Sequence, residues 1–276
     1  MAPALSRPAG PQRIFQTTHM HTFFKSAAIL LSLVLYSLVS CCLALLPAGR
    51  VGRRRRLTRN TSVFARIILR LLGIRVLARR TEHHPLPDRN YLIAANHLSY
   101  VDILVLAALR PAVFITSIEL RNTFPLGMLA WFGGSIFVER RNPAGIKKEI
   151  RDIARTLQDG FSVVLFPEGT TSDGDTVRAF RNSLFTAAIT AGTPVLPVCL
   201  RYRRINGQRV TERNRDAVYF YGGTTFPEHA PRLLAIRSVH VECRTLEPIA
   251  THAHQSRKDL AARCRDIIAA AYHRTS

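Results

Sequence analysis

The spacing of apolar residues changes along the chain, from one long continuous run to short runs separated by polar turns. Residues 26–48 form an uncharged, largely apolar stretch. It is long enough to cross a bilayer as a helix, because a crossing needs about 20 apolar residues. Residues 1–25 are mostly polar, and we expect them to be disordered. The pattern therefore predicts a transmembrane helix over 26–48.

Residues 49–73 combine an arginine cluster with an amphipathic pattern. Arginines crowd the stretch from Arg50 to Arg59. From Thr61 to Leu72 apolar residues recur at helical spacing, and Gly73 ends the pattern. This pattern is typical of a helix that lies in the membrane interface, and equally of a helix that packs on a protein core.

From residue 74 to residue 276, short apolar runs alternate with amphipathic stretches. Such alternation predicts a single α/β domain with a largely parallel central sheet flanked by helices. The predicted strands are 74–78, 91–95, 112–117, 136–138, 161–166, 194–200, 217–221 and 238–245. The predicted helices are 100–109, 144–159, 180–191 and 257–272, with a helix or apolar loop over 124–131.

The charge balance identifies the kind of partner. Lys and Arg number 39 against 18 Asp and Glu, a net charge of +21, which favours nucleic acid or an anionic membrane. Because the densest arginine cluster adjoins the apolar run, we predict anionic membrane lipids as the partner and no nucleic acid. The same cluster marks the cytoplasmic flank of the span, so we expect a single-pass protein of the cytoplasmic membrane whose main domain faces the cytosol. It also argues against a cleaved signal peptide and against a lipoprotein signal ending at Cys41 or Cys42.

The cysteines are predicted to be reduced structural thiols. There are five, and their spacing contains neither a Cys-x-x-Cys pair nor a disulfide framework. Cys199 is a possible nucleophile, but no histidine lies near it in the sequence, which argues against that role.

The predicted strand 91–95 leads into a motif with catalytic potential, Asn96-His97 followed by Asp102. His97 lies where a strand ends, which is a usual place for catalytic groups in α/β folds. Asp102 falls on the first turn of the next helix, so its carboxylate can return to the imidazole. A carboxylate that holds one ring nitrogen raises the basicity of the other, and His97 can then act as a general base. The alternative is a structural histidine beside a helix-capping aspartate.

A second loop repeats this architecture. The apolar run 161–166 leads into Pro167, Glu168 and Gly169. Both loops follow a strand, so they can converge on one edge of one sheet. This convergence would place a His/Asp pair beside a second carboxylate.

Taken together, these motifs resemble the glycerolipid acyltransferase family, whose best-known members acylate lysophosphatidic acid. Four blocks match in order: Asn96-His97 with Asp102, Gly134 to Arg140, Phe166 to Thr170, and Val195 to Val198. Four ordered blocks are far more specific than one motif. The resemblance implies a membrane-bound O-acyltransferase that moves a fatty acyl group from acyl-CoA or acyl-carrier protein to the free hydroxyl of a lysolipid in phospholipid biosynthesis.

The resemblance also implies roles for individual residues. His97 would be the general base, and Asp102 would stabilise the imidazolium that forms. Arg140 would hold the headgroup of the acceptor, with Glu168, Gly169 and Thr170 as further substrate-binding residues. A thioester is already activated, so we expect no cofactor and no metal. The short Asp173–Asp175 acidic turn is too small for an EF-hand calcium loop.

Departures from the family pattern leave the acceptor headgroup open. Thr171 stands where an Arg is common, and Ser117 stands where a Lys is common. Arg181-Asn182-Ser183 replaces a usual Lys-x-Gly. The acceptor of choice is still 1-acylglycerol-3-phosphate, with lyso-ornithine lipid or another lysophospholipid as the alternative. Arg140, Arg141, Arg178 and Arg181 could replace the missing phosphate contacts.

A function of another class also fits the predicted fold. The chain could be a non-catalytic membrane protein that binds lipids. The intact His97, Asp102, Glu168 and Gly169 argue for the enzyme instead.

Overall fold

Two long helices precede the sheet in the computed structural model, which describes residues 11–80, 89–123, 126–139 and 145–274. Helix α1 is Pro11–Leu45 and helix α2 is Arg50–Leu72. Residues 11–25 are thus helical rather than disordered, and α2 begins well before residue 61. No Pro or Gly interrupts residues 12–25, and arginine is a good helix former, so both helices continue beyond their apolar patterns.

The packing of α2 distinguishes between the two predictions for it. Its side chains at Leu57, Ala65, Ile68 and Leu69 are buried, and the helix packs against α1 and against α3 (Val101–Leu109). Helix α2 is therefore packed on the protein core. It ends at Gly73, whose φ of 73° is the left-handed conformation that glycine adopts most easily.

The central sheet is largely parallel, as predicted. The strands are β1 (Ile74–Arg80), β2 (Leu92–Ala95), β3 (Val113–Ser117), β4 (Ile136–Val138), β5 (Val163–Leu165), β6 (Val195–Ile205), β7 (Gln208–Arg209) and β8 (Val239–Thr245). Their order in the sheet is β1-β8-β6-β2-β5-β3-β4, with β7 paired to β6. Among the described strands, only the pairs β6–β8 and β6–β7 are antiparallel.

Helices cover both faces of the sheet. After α3, the described helices are α4 (Ile118–Arg121), α5 (Leu126–Phe132), α6 (Ile146–Gln158), α7 (Thr186–Ala191), α8 (Phe226–Ala235) and α9 (Arg257–His273). Neighbouring side chains on a strand point to opposite faces. On β6, Tyr202 reaches Asp102 of α3, while Arg201 lies over the Tyr272 ring of α9. Helices α2 and α3 thus lie on one face, and α9 lies on the other.

Two predicted elements need correction, and helix α8 was not predicted. The strand expected over 217–221 is wrong: a 3₁₀ turn, Arg215–Ala217, leads into irregular chain. Val218 and Tyr219 are buried there, and Phe220 N donates to Leu98 O at 2.9 Å instead of pairing with a strand. The helix expected over 180–191 starts with a 3₁₀ turn, Ser183–Phe185, because Arg181 N is held by Pro167 O at 2.9 Å. Helix α8 was not predicted, since Pro231 inside it disguises the pattern.

Candidate active site

The loop that carries His97 starts at Asn96, which extends the pairing of β2 with β6 by one residue. The Asn96 amide donates to Leu200 O at 2.9 Å and accepts from Leu200 N at 2.8 Å. A side chain here replaces the backbone as hydrogen-bond partner, so the chain is free to turn away from the sheet. His97 lies in that turn, just after the carboxyl end of β2.

Asp102 is held by four donors and forms the predicted pair with His97. Its Oδ2 lies 2.9 Å from His97 Nδ1 and accepts the N–H groups of Leu98 at 2.7 Å and Ser99 at 2.9 Å. Its Oδ1 accepts the Tyr202 hydroxyl at 2.7 Å. The Asp102 side chain is fully buried, and donors of this kind compensate a buried carboxylate. Asp102 is thus fixed in position by the protein before any substrate arrives.

The His97 ring is positioned by stacking as well as by this pair. It lies against the Phe166 ring with the centroids 3.9 Å apart and the planes inclined by 14°. With Nδ1 facing Asp102, the structure gives Nε2 no hydrogen-bond partner among the residues that it describes. The side chain is 15% exposed, so this nitrogen is accessible to a reacting hydroxyl.

Glu168 connects the two loops that the sequence predicted to converge. Its Oε1 accepts His97 N at 2.8 Å, and its Oε2 accepts Arg178 N at 3.1 Å. Burial raises the pKa of this carboxyl group, although both backbone donors oppose the shift. Glu168 therefore fixes the backbone at His97. Contact between Glu168 and substrate stays a prediction.

Gly169 permits the close approach of a guanidinium group. Its φ is +79°, and a Cβ at this position would lie 2.8 Å from Arg181 Nε and 2.9 Å from Arg181 Cζ. Arg181 is exposed and lies directly above the loop, with Thr170 exposed beside it. The loop after β5 thus holds the Arg181 guanidinium against Gly169.

Helix α8, which the sequence reasoning missed, braces the start of α3. The His229 side chain is fully buried, and its Nδ1 lies 3.0 Å from the Tyr100 hydroxyl. The rings of Phe220 and Phe226 lie 5.3 and 5.2 Å from the Tyr100 ring. Burial lowers the pKa of His229, which favours its neutral form. Tyr100 directly precedes α3, so this cluster supports the helix that carries Asp102.

The remaining predicted site residues have different outcomes. Arg140 and Arg141 lie outside the described residues, so the role assigned to Arg140 stays a prediction. Cys199 is buried and its pKa is raised by burial to about 12, which rules out a reactive thiolate. Tyr202 was missed, because only the fold brings β6 next to the catalytic loop. The described residues contain no group of three or more His, Cys, Asp or Glu side chains placed for a metal ion.

Comparisons with known proteins agree with this geometry. A family model described as Acyltransferase matches residues 64–201. The lyso-ornithine lipid O-acyltransferase of Brucella abortus is 34% identical over 83% of this chain and 88% of that protein. The 1-acyl-sn-glycerol-3-phosphate acyltransferase of Neisseria gonorrhoeae is 37% identical over 50% of this chain and 52% of that protein. The fold is also that of the 1-acyl-sn-glycerophosphate acyltransferase of Thermotoga maritima, with a TM-score of 0.67 at 21% identity, covering 94% of this chain and 98% of that one. The chain therefore belongs to the acyltransferase family.

Proposed function

We propose that this enzyme transfers a fatty acyl group from a thioester to the hydroxyl of a lysolipid, and that its acceptor is a lyso-ornithine lipid. The observation that carries the proposal is the His97–Asp102 pair, a buried carboxylate behind an imidazole whose Nε2 is accessible. An alcohol is a poor nucleophile until its proton is removed, and an imidazole of this geometry can remove it.

The reaction needs no covalent enzyme intermediate. His97 Nε2 takes the hydroxyl proton as the alcohol oxygen attacks the thioester carbon. When the tetrahedral intermediate collapses, the C–S bond breaks and the imidazolium returns its proton to the leaving thiolate. Asp102 stabilises the imidazolium between these steps. The N–H groups of Thr170 and Thr171 donate to no described residue, so they are candidates to hold the oxyanion.

The acceptor assignment rests on two observations. The lyso-ornithine lipid O-acyltransferase of Brucella abortus matches 83% of this chain, whereas the 1-acyl-sn-glycerol-3-phosphate acyltransferase of Neisseria gonorrhoeae matches 50%. Thr171 places a neutral hydroxyl where the family commonly has an Arg. A carboxylate carries less charge than a phosphate monoester, and the Arg181 guanidinium above Gly169 could bind it through two hydrogen bonds.

The donor is a thioester of CoA or of acyl-carrier protein. A thioester carbonyl is already activated, so the chemistry requires neither a metal ion nor a further cofactor. The residues of the chain supply the general base and the donors for the oxyanion, and they position the acceptor.

We further propose that α1 attaches the enzyme to the membrane. Within α1, Thr22–Leu45 is long and apolar enough to cross a bilayer. One side of this helix is exposed and apolar, with Phe23, Phe24, Leu30, Leu31, Val34, Leu35, Leu38 and Leu45. The other side is held to the protein: Lys25 Nζ donates to Leu72 O, Leu234 O and Ile236 O, and Asn60 Nδ2 donates to Ser40 Oγ at 2.9 Å.

These contacts bear on how α1 enters the bilayer. Because α1 contacts α2 and α8 between Lys25 and Ser40, it would have to leave them in order to cross the bilayer by itself. We therefore propose that α1 stays packed on the protein and inserts only its apolar side into one leaflet. The arginine cluster that follows would then face the headgroups of the cytosolic leaflet. A protease-cleavable tag at the N-terminus distinguishes the modes in sealed vesicles. Cleavage from the cytosolic side is expected, and protection of the tag would support the single crossing predicted from the sequence.

An acceptor panel tests the proposed reaction. The purified full chain receives labelled acyl-carrier protein or acyl-CoA thioester with lyso-ornithine lipid, lysophosphatidic acid or lysophosphatidylethanolamine, and kcat/KM is compared. We expect lyso-ornithine lipid to be preferred and Thr171→Arg to shift the preference toward lysophosphatidic acid. Preference for lysophosphatidic acid by the unaltered chain would reject the acceptor assignment. Lipid binding without transfer to any acceptor would favour the non-catalytic alternative.

A further inference from the structure

One face of the sheet carries a row of cations at the end formed by β1, β8 and β6. The register places Arg75 beside His240, Leu77 beside Glu242 and Arg79 beside Arg244. On the other side of β8, Arg201 pairs with Glu242 and Cys199 pairs with Arg244. Directly paired residues share a face of the sheet. We call this surface the basic sheet face, defined by Arg75, Arg79, Arg201, Arg203, His240 and Arg244.

Glu242 is the single carboxylate within the basic sheet face among the described residues, and it organises the surface. It is buried, with Oε2 at 2.5 Å from Arg203 Nε and Oε1 at 2.6 Å from Arg244 Nη2. Arg79 Nε lies 3.9 Å from Oε1, and the Arg79 side chain remains 60% exposed. The positive charge of the five arginines therefore exceeds the single negative charge of Glu242. Two of these arginines, Arg203 and Arg244, are held in position by Glu242.

The outer strand of this face is open to solvent. Arg75 and Arg79 are exposed, and Leu77 between them is 44% exposed. Helix α9 covers the neighbouring strand β6, where the Tyr272 ring lies 5.7 Å from Arg201. The result is an apolar side chain surrounded by cations, a composition that suits an acidic protein partner better than a small anion.

The basic sheet face lies on the side of the sheet opposite to α3. Tyr202 and Arg201 point to opposite faces, and the Tyr202 side carries α3, α2 and, beyond them, α1. The basic sheet face therefore lies on the other side of the sheet from the helix that carries the apolar surface. A partner from solution can therefore reach this face while the apolar side of α1 is in the bilayer.

The basic sheet face also leads to the active site. Tyr272, which packs on Arg201, donates its hydroxyl to Gly174 O at 2.6 Å, in the chain that follows Glu168. The residue after Arg201 is Tyr202, the donor to Asp102. A partner bound here would lie beside the loops that carry the catalytic pair.

We propose that the basic sheet face docks the protein that delivers the acyl group, a small acidic acyl-carrier protein with the acyl chain on a flexible thioester-linked arm. This inference rests on the proposed acyl transfer. The negative surface of the carrier meets Arg75 and Arg79, and Leu77 provides the apolar centre of the contact. Attraction of this kind mainly speeds association and falls with salt.

Charge reversal on the outer strand tests the proposal. The double variant Arg75→Glu with Arg79→Glu is compared with Arg151→Glu with Arg155→Glu, which changes the same number of exposed arginines on α6, at the β5 and β4 end of the sheet. In the full chain in detergent we expect the first variant to raise KM for the acyl-carrier protein by on the order of 10-fold, with kcat unchanged. KM for acyl-CoA should change little in both variants, and the control should leave both donors unaffected. Thermal melting shows whether each variant is folded. If the Tm of the charge-reversal variant is lowered, the milder double variant Arg75→Gln with Arg79→Gln replaces it in the same assays.

Direct binding separates failure of this proposal from failure of the proposed function. Binding of holo acyl-carrier protein to the unaltered chain is measured without turnover, at low and high salt. Binding that is lost in the Arg75/Arg79 variant supports the docking surface even if no acyl group is transferred, in which case only the proposed function fails. Acyl transfer with an unchanged carrier KM in that variant overturns the docking surface alone. Equal losses with acyl-CoA and with the carrier would also overturn it.

Discussion

Replacing Tyr202 by Phe removes one hydroxyl and tests whether the fixed position of Asp102 matters. The hydroxyl donates to Asp102 Oδ1 at 2.7 Å, and both side chains are almost completely buried. A hydrogen bond to a charged group contributes about 1.5–3 kcal/mol, so the variant should lose about that much free energy of unfolding. For a chain of this size, the loss corresponds to roughly 3–10 °C in Tm.

The effect on catalysis should be smaller than the effect on stability. Oδ2 keeps its three partners, the N–H groups of Leu98 and Ser99 and the His97 ring, so the pair survives. With Oδ1 released, the carboxylate can rotate and the imidazole is held less firmly. We expect kcat to fall about 3–10-fold, equivalent to about 0.7–1.4 kcal/mol, with KM for the acceptor unchanged.

A matched control exists at the surface. Tyr221 donates to Asp216 Oδ1 at 2.6 Å, so Tyr221→Phe removes the same kind of bond in an exposed place. The assay measures initial rates over a range of acceptor concentrations, together with thermal melting in the same detergent. If Tyr202→Phe matches Tyr221→Phe in both kcat and Tm, the buried hydroxyl has no role in holding Asp102.

Three further outcomes are expected. Gly169→Ala should lower activity because the new Cβ meets Arg181 at 2.8 Å, whereas Gly160→Ala, with φ +85° and no atom within 4 Å, should cost stability alone; equal activities would show that the contact is unimportant. Burial alone would raise the pKa of Glu242, but hydrogen bonds from Arg244 and Arg203 outweigh burial, so the net effect is a lowered pKa. The ionised carboxylate therefore stabilises the fold at pH values above its pKa in the unfolded chain. This stabilisation is lost as the pH falls through its pKa in the folded chain. Glu242→Gln should therefore lower Tm at neutral pH, and the gap to the unaltered chain should close in acid; a gap independent of pH would contradict the ion pairs. Asp102→Asn should lower Tm, because four donors lose their charged acceptor, and the folded variant should lose most of kcat, because the imidazolium loses its anionic partner; full activity would count against the pair.

The sequence predicted the parts of the fold that depend on local patterns. Strand β4 and helix α9 follow directly from apolar spacing, and the His97 loop was located from its position after a strand. The pairing of Tyr202 with Asp102 joins residues 100 positions apart, so no local pattern reveals it. The convergence of the Glu168 loop on the His97 loop was predicted, because both follow a strand, whereas the hydrogen bonds of Glu168 with the backbone of His97 and Arg178 were not. Helix α8 was missed because its Pro231 resembles a helix breaker, while tertiary contacts through His229 hold it.

Helix α1 shows a second limit of prediction from the sequence. Its apolar composition predicts a membrane helix, and it cannot reveal which side of that helix the protein occupies. The contacts of Lys25 with α2 and α8 supply this information. They show that α1 has one side on the protein and one apolar, exposed side, and the single crossing of the membrane stays a prediction.

The rate of acyl transfer by His97→Ala tests the central claim most directly. The purified variant and the unaltered chain are each given labelled acyl thioester and lyso-ornithine lipid in a single turnover, with Tm measured to confirm folding. Loss of a general base lowers the rate by about 10²–10⁴-fold, and we predict a loss of that size with little change in Tm. A folded His97→Ala variant that transfers the acyl group at the normal rate would contradict the account.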